Sequence, residues 1–332
     1  MAMKYGRIPG IDKPVSRILQ GTSLQGPPDL LEKAADLEYG LDLLDGCFEL
    51  GVTTFDTGHN YGRGGSAERL LGEWTESRGL RDKVVILTKG AHHNADRQRV
   101  TPFDITSDLY DSLARLRTDH IDLYLLHRDD PAVTVGPIID VLNEHKDAGR
   151  ISVFGASNWT HERIAEANAY ADANGLASFT VSSPNFTLAV EAEPPWANCI
   201  SLSGDQGQPA RRWYAEQEMP LFLWSSMAQG FFSGRFNRET FESCKDEIPE
   251  SCVRAYCHDS NFERLDRVGI LAKEKGLSVP QIALAFIVNQ QLDLYAIIGV
   301  LHPDECKSNI EALDIELTPN EMAWLDLKTD SR

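Results

Sequence analysis

The sequence lacks an apolar run long enough to cross a membrane, which takes about 20 consecutive apolar residues, and residues 1–7 lack the apolar core of a secretion signal. It also lacks an excess of basic residues, because 32 Lys and Arg stand against 50 Asp and Glu and leave a net charge of -18. A surface of this sign repels nucleic-acid phosphates. We therefore expect a cytoplasmic protein with no nucleic-acid partner and no membrane partner.

Cysteines at the spacing of a metal site or a redox motif are lacking as well. The six cysteines include no CxxC pair: Cys47, Cys199, Cys244, Cys252, Cys257 and Cys306. Metal sites need tightly spaced ligands or a second cluster, and Cys252, Cys257 and His258 offer neither. We interpret the cysteines as reduced thiols and predict no metal site.

What the sequence does have is a regular alternation of strand and helix patterns. Short apolar runs predict eight strands, at residues 18–21, 52–55, 84–88, 121–126, 151–154, 179–182, 221–224 and 295–298. Helical spacings follow most of them. We predict an α/β fold, a (β/α)8 TIM barrel that forms a single domain over residues 1–332. The alternative, a doubly wound sheet, would carry a GxGxxG fingerprint after its first strand, which is missing.

Additions to the plain barrel are also predicted. Thr318 and Glu321 form a capping box with Pro319 at the first helical position, which predicts an extra C-terminal helix. The longest irregular stretches are residues 189–208 and 235–260. Loops of this length are usually functional or mobile, so we expect long loops on the C-terminal rim, either as covers of a substrate or cofactor or as surface decoration.

Titratable residues stand where three of the predicted strands end. Asp56, Lys89 and His127 follow successive apolar runs, and Tyr61 lies in the loop after the first of these. The chemistry of a TIM barrel sits at the C-terminal ends of its strands. The four side chains are therefore expected at one rim. Taken singly, each has a structural interpretation, but ionisable groups cluster at functional sites.

At these residues the chain resembles the aldo-keto reductases, which carry an Asp-Tyr-Lys-His tetrad in this order. The neighbouring residues match as well: Phe55, Thr57, Asn60, Gly62, Leu87, Thr88, Asp122, Leu123, Tyr124, Leu125, Leu126, Gly155, Ala156, Ser157, Asn158, Trp224, Ser225 and Asn309. The resemblance covers nearly the whole chain and implies an oxidoreductase that acts on carbonyl or alcohol groups.

Carbonyl reduction needs a hydride for carbon and a proton for oxygen. Tyr61 is the expected proton donor, and a nearby Lys89 is expected to lower its pKa from about 10. Asp56 would hold Lys89 charged and oriented, and His127 would position the substrate oxygen. The resemblance implies these same roles.

The resemblance also implies a nicotinamide cofactor, NADPH or NADH. By this likeness Ser157 and Asn158 hydrogen-bond the nicotinamide carboxamide, and Trp224 stacks on the ring. The remaining cofactor-binding residues expected are Gly21, Thr22, Asp56, Ser225, Met227, Gln229, Gly230 and Asn309. Backbone N–H groups of the glycine-bearing loop after Trp224 would hold the pyrophosphate.

Two departures from the family pattern bear on the cofactor. Ser183 stands where the family often has Gln as a second carboxamide contact. No Lys or Arg follows Gly299, where the family often binds the 2′-phosphate of NADPH, and Glu305 nearby would suit a ribose hydroxyl. Arg235 can compensate from the long loop, so the choice between NADH and NADPH stays open.

The substrate pocket is expected to be bounded by Tyr61, His127, Trp159 and the two long loops, with Arg128 adding polarity at its mouth. We hypothesise a small, polar carbonyl substrate such as a sugar aldehyde or ketose, and hence a role in sugar metabolism, for a monomer or homo-oligomer. Three alternatives remain. These are a sugar dehydrogenase working in the oxidative direction, a cofactor-binding regulatory subunit of an ion channel, and a metal-dependent barrel that uses His92, His93 and His127.

Overall fold

The computed structural model describes residues 2–23 and 34–332, in which eight parallel strands close into a barrel. Its strands are rich in β-branched and aliphatic residues, as buried parallel strands usually are. An antiparallel pair, β1 and β2, precedes the barrel strands β3 to β10. The bounds are β1 Tyr5–Gly6, β2 Val15–Ser16, β3 Ile18–Gly21, β4 Thr54–Asp56, β5 Val85–Gly90, β6 Ile121–Leu126, β7 Ile151–Ser157, β8 Ser182–Ser183, β9 Leu221–Leu223 and β10 Leu294–Ile298.

Neighbours along the chain are neighbours in the barrel, from β3 to β10, and β10 pairs with β3 to close it. Helices surround this sheet. Their bounds in the described residues are α1 Ala34–Glu49, α2 Ser66–Arg78, α3 Pro102–Leu116, α4 Val135–Asp147, α5 His161–Asn174, α6 Gln208–Glu216, α7 Phe241–Cys244, α8 Glu250–Tyr256, α9 Asp259–Lys275, α10 Val279–Val288, α11 Pro303–Glu311 and α12 Pro319–Leu325. The predicted (β/α)8 barrel is therefore confirmed. None of the helices in residues 34–332 has the length and apolar character that crossing a bilayer requires.

Two cores lie on either side of the barrel wall because successive strand residues face opposite ways. Leu123 and Leu125 of β6 belong to the inner core, whereas Tyr124 and Leu126 belong to the layer between strands and helices. The inner core also contains Ile8, which comes from the segment between β1 and β2. This segment packs against the inner core at one end of the barrel. The titratable strand ends lie at the opposite, C-terminal end.

Local signals set several helix boundaries, including the predicted start of the C-terminal helix. The side chain of Thr318 accepts a hydrogen bond from the backbone of Glu321, and the reciprocal bond completes the capping box of α12. The side chain of Thr160 accepts from the backbone N–H of Arg163 at the start of α5, and Gly175 ends that helix with a left-handed φ of 66°. These residues satisfy backbone groups that a helix end leaves unpaired.

The structure differs from the predicted elements in three places. The sixth barrel strand is only Ser182–Ser183, and not residues 179–182, because the preceding residues lie outside the sheet. The stretch 235–260 is not irregular throughout, since it contains α7 and α8. The strand pair β1 and β2 was not predicted, because two-residue strands carry no periodic signal.

A glycine in α2 allows two helices to approach closely. A Cβ on Gly72 would lie 2.4 Å from the carbonyl oxygen of Arg115, which belongs to α3. We expect Gly72→Ala to lower the free energy of unfolding by about 1–3 kcal/mol, as overpacking does. Gly269→Ala in α9 is the matched control, since nothing lies within 4 Å of its Cβ position. This control should raise the free energy by about 0.5–1 kcal/mol. Urea unfolding measures both, and equal effects would contradict the close approach.

Candidate active site

The four predicted tetrad residues meet at the C-terminal end of the barrel. Asp56 ends β4, Lys89 lies one residue before the end of β5, and His127 follows β6 directly. These three strands are adjacent in the sheet. Tyr61 comes from the loop after β4, and its backbone N–H donates to the carbonyl of Gly58 at 2.9 Å in a tight turn.

Lys89 contacts two other members of this group. Its ammonium forms an ion pair with the carboxylate of Asp56, and both side chains are buried. The ammonium also donates to the carbonyl oxygen of Thr57 at 3.0 Å and lies 3.3 Å from the hydroxyl of Tyr61. A buried ammonium is stable only with such partners. The phenol and the ammonium are therefore in direct contact.

The contacts decide the protonation of the site. Burial by itself would lower the pKa of Lys89, but Asp56 and Tyr61 outweigh burial and raise that pKa above its usual value. Burial raises the pKa of Tyr61, and Lys89 and Arg128 offset this only in part. The expectation that Lys89 brings the pKa of Tyr61 below its ordinary value is therefore wrong, because the loss of water around the phenol outweighs the attraction of the cation.

His127 faces Tyr61 across the site, with ring centroids 5.5 Å apart. Burial, followed by the charges of Lys89 and Arg128, lowers the pKa of His127 well below its usual value. The imidazole is therefore neutral at physiological pH. Its Nδ1 is buried without a hydrogen-bond partner in the described residues. A neutral imidazole has one N–H donor and one acceptor nitrogen, so it can donate to a carbonyl oxygen.

A cavity of about 1390 Å³ opens beside the tetrad. Its wall contains all four tetrad residues and Arg128. It also contains most of the residues expected at a cofactor: Gly21, Ser157, Asn158, Trp224, Ser225, Met227, Gln229, Gly230, Arg235, Gly299, Glu305 and Asn309. This volume exceeds that of a typical small-molecule pocket.

Three predicted residues are not part of this wall. The hydroxyl of Thr22 donates to the carbonyl of Asp56 at 3.0 Å. Ser183 is fully buried, and its carbonyl accepts from the hydroxyl of Ser157 at 2.7 Å. Trp159 is 1% exposed and packs on Phe179. The wall therefore does not include these three residues, and their expected direct roles stay predictions.

Some wall residues were not predicted as part of a cofactor or substrate pocket. His92 and His93, which the sequence suggested only for the metal-dependent alternative, lie after β5. Trp196, which was not named, lies in the stretch 189–208, where its ring is 5.7 Å from that of Trp224. Both long stretches contribute to the wall. The aromatic residues within these stretches were the only available signal.

Unusual backbone lies at the loop after β9. Ser225, Ala228 and Gln229 have φ values of 51°, 50° and 55°, a region that is uncommon for residues other than glycine. Such strain is concentrated at functional sites. A side chain at Gly230 would meet no atom within 4 Å, so the backbone there faces open space. The side-chain nitrogens of Trp224 and Gln229 are buried and have no hydrogen-bond partner among the described residues. These observations fit a loop that surrounds a polar ligand such as a dinucleotide.

The residues considered for cofactor choice lie together. Arg235 and Glu305 are both exposed and form an ion pair of 3.7 Å. Glu305 also accepts a hydrogen bond from the backbone of Leu301 at 2.9 Å. Each charge thus modifies the effect of the other on a ligand nearby.

The histidines of the wall do not form a metal centre in the part of the chain described. The rings of His92 and His93 are 4.3 Å apart, and that of His127 is 4.8 Å from His92. Among residues 2–23 and 34–332, no three His, Cys, Asp or Glu side chains are grouped so as to hold a metal ion. The metal-dependent alternative therefore receives no support from this cluster.

Known proteins resemble this chain in sequence or in fold. Probable aryl-alcohol dehydrogenase AAD4 of Saccharomyces cerevisiae is 26% identical over 301 residues, which cover 87% of each chain. Glycerol dehydrogenase AKR11B4 from Gluconobacter oxydans has a TM-score of 0.73 at 21% identity and covers 96% of this chain and 93% of its own. An aldo-keto reductase from Klebsiella pneumoniae in complex with NADPH has a TM-score of 0.71 at 24% identity and covers 100% and 97%.

A parallel barrel in which a lysine contacts a tyrosine at the C-terminal ends of the strands is typical of one class of oxidoreductase. Residues 18–329 match the model of the Aldo/keto reductase family, and the chain belongs to this family. Membership of this family confirms the predictions that the protein is an oxidoreductase and that it acts on carbonyl groups.

The Lys89–Asp56 pair generates a prediction about stability. Lys89→Met leaves Asp56 buried without its cation, and we expect a loss of about 3–5 kcal/mol in the free energy of unfolding. In this variant Asp56 becomes protonated when folded, with a pKa above the roughly 3.9 of the unfolded chain. The folded state then binds more protons, so stability falls as pH rises above the unfolded pKa.

Urea unfolding at about pH 5 and pH 8 measures the effect, which should be larger at pH 8. The double variant with Asp56→Asn is the control, since it has no carboxyl group to titrate. An equal loss at both pH values would show that Asp56 is not buried against Lys89.

Proposed function

We propose that the protein reduces a polar aldehyde or ketone, such as a sugar aldehyde or ketose, with NADPH or NADH. When bound, the nicotinamide supplies a hydride to the carbonyl carbon. The observation that carries the proposal is the ammonium of Lys89, which contacts both the carboxylate of Asp56 and the hydroxyl of Tyr61 at the edge of the cavity.

Tyr61 gives its proton to the carbonyl oxygen. Burial keeps its pKa raised, so the phenol holds this proton at neutral pH. As the proton leaves, negative charge develops on the phenol oxygen, and the ammonium of Lys89 stabilises it from 3.3 Å. Neutral His127 donates a hydrogen bond to the same carbonyl oxygen. Asp56 keeps Lys89 charged and in place.

The cofactor would occupy the part of the cavity away from Arg128. Trp224 offers an aromatic face, and the Ser225–Gly230 loop offers backbone N–H groups for a pyrophosphate. Arg235 and Glu305 lie further along the wall, where they would meet the adenosine ribose. This arrangement supports a dinucleotide whose nicotinamide end approaches Tyr61.

Polar groups support the substrate class. Asn60, His92, His93 and Arg128 line the wall beside the tetrad. Trp196 adds an aromatic surface to the wall, next to Trp224. An aromatic aldehyde therefore fits as well, in keeping with the name of the yeast relative, and 4-nitrobenzaldehyde is a suitable neutral probe.

The role of Tyr61 can be tested by removing only its hydroxyl. We expect Tyr61→Phe to retain NADPH binding and to lose turnover of 4-nitrobenzaldehyde by about 10²–10⁴-fold, the usual contribution of a general acid. Tyr170→Phe is the matched control, because that hydroxyl bonds the surface carboxylate of Asp140. Following NADPH oxidation measures both. Near wild-type turnover of Tyr61→Phe would show that another group donates the proton.

The choice of cofactor can be tested at the Arg235–Glu305 pair. Arg235→Ala should weaken NADPH binding more than NADH binding, because it removes the cation available to the 2′-phosphate. Glu305→Gln should have the opposite effect, since it removes a repelling charge. Fluorescence quenching gives the Kd of each cofactor for each variant. If both variants change the two Kd values in equal proportion, the pair does not contact the ribose end.

A further inference from the structure

Arg128 is a buried cation that forms no ion pair with any residue the structure describes. Its side chain is 4% exposed and lines the cavity directly after His127. One guanidinium nitrogen donates to the carbonyl of His127 at 2.8 Å, and its buried Nε has no partner in the described part of the chain. Among the described residues, no carboxylate is within salt-bridge distance of Arg128. By contrast, Arg264, the other arginine buried to this degree in the described chain, has Asp326 at 3.5 Å.

The neighbouring acids do not compensate this charge, because they are used elsewhere. Asp129 pairs with Arg163 at 3.3 Å. Asp130 accepts from the backbone N–H of Ala132 at 3.1 Å. A buried charge without a partner is costly. A site that retains one is built for a ligand that brings the opposite charge.

Arg128 also has no competitor among the basic groups around it. Lys89 is neutralised by Asp56. Burial, followed in part by Arg128 itself, lowers the pKa of His92 to about 4, and burial and Arg128 lower that of His93. These histidines are therefore neutral, and the buried Nδ1 of His93 has no partner among residues 2–23 and 34–332. Within those residues, Arg128 is thus an uncompensated positive charge on the tetrad side of the cavity.

Hydrogen bonds hold both the backbone of Arg128 and one nitrogen of its guanidinium, which donates to the carbonyl of His127. The indole N–H of Trp159 donates to the carbonyl of Arg128 at 3.1 Å, and the guanidinium of Arg163 lies 5.3 Å from the Trp159 ring centre. A preorganised guanidinium binds carboxylate or phosphate with two parallel hydrogen bonds. Trp159 therefore acts on the cavity through Arg128, although its own side chain faces away.

We infer that Arg128 is a specificity-determining residue that binds an anionic group, a carboxylate or a phosphate, of the carbonyl substrate. This inference rests on the proposed function and narrows its substrate to aldehydes or ketones that carry such an anion. The anion takes no part in bond making. The carbonyl carbon gains the hydride, the oxygen gains the proton of Tyr61, and the products are the alcohol and the oxidised cofactor.

Matched pairs of substrates test the inference on the whole enzyme with NADPH. One pair is 4-carboxybenzaldehyde and 4-nitrobenzaldehyde, and the other is glyceraldehyde 3-phosphate and glyceraldehyde. In the wild type the anionic member should have the higher kcat/KM. In Arg128→Met the ratio of anionic to neutral kcat/KM should fall by about 10- to 100-fold, the value of hydrogen bonds to a charged group, mainly through KM. Arg128→Lys should restore part of the ratio. The pair with the larger loss identifies carboxylate or phosphate.

Binding of an anion that cannot react tests the role of Arg128 independently of carbonyl reduction. Benzoate should bind the wild type loaded with NADP⁺, as measured by calorimetry, whereas benzamide should bind far more weakly. Arg128→Met should lose the preference for benzoate. If no aldehyde is reduced by the wild type, the proposed function fails, and benzoate binding still decides the role of Arg128.

Three results would overturn the inference. The first is a wild type that prefers neutral substrates and binds benzoate no better than benzamide. The second is an Arg128→Met variant in which kcat/KM falls equally for both members of each substrate pair. The third is a Met variant that loses NADPH affinity but keeps its ratio, which would assign Arg128 to the cofactor.

Discussion

The contact between the ammonium of Lys89 and two acidic groups organises this end of the molecule. Lys89 is 1% exposed and Asp56 is 3% exposed, so neither charge is stable there without the other. The pair requires β4 and β5 to lie side by side, which the barrel provides. The same ammonium holds the hydroxyl of Tyr61, which comes from a loop. The Lys89–Asp56 pair, which joins two strands, therefore sets the position of the Tyr61 phenol, which lies in a loop.

The remaining charges around the cavity differ between its two parts. On the tetrad side, His92, His93 and His127 are neutral, and Arg128 keeps a positive charge that no carboxylate of the described chain pairs with. Further away, Arg235 and Glu305 oppose each other at 3.7 Å. The net charge of -18 does not describe this interior. Local pairing decides which charge a ligand meets, because burial strengthens short-range electrostatics and solvent screens the surface.

Residues next to each other in sequence often have different roles here. Gly21 and Asn158 line the cavity, whereas their neighbours Thr22 and Trp159 do not. At the end of a strand, successive side chains point in different directions, and the turn that follows decides which one faces the cavity. The likeness to a family pointed to segments that line the cavity, but it did not determine the direction of each side chain.

Sequence alone determined the barrel, through eight apolar runs separated by helical patterns, and the rim at which Asp56, Lys89 and His127 end their strands. Both follow from local periodicity and from the parallel arrangement of barrel strands. It did not determine the pKa of Tyr61, the contribution of Trp196 to the wall or the lack of an acidic partner for Arg128. Only the tertiary structure decided these, because burial and pairing depend on segments that are distant in the chain and meet only when it folds.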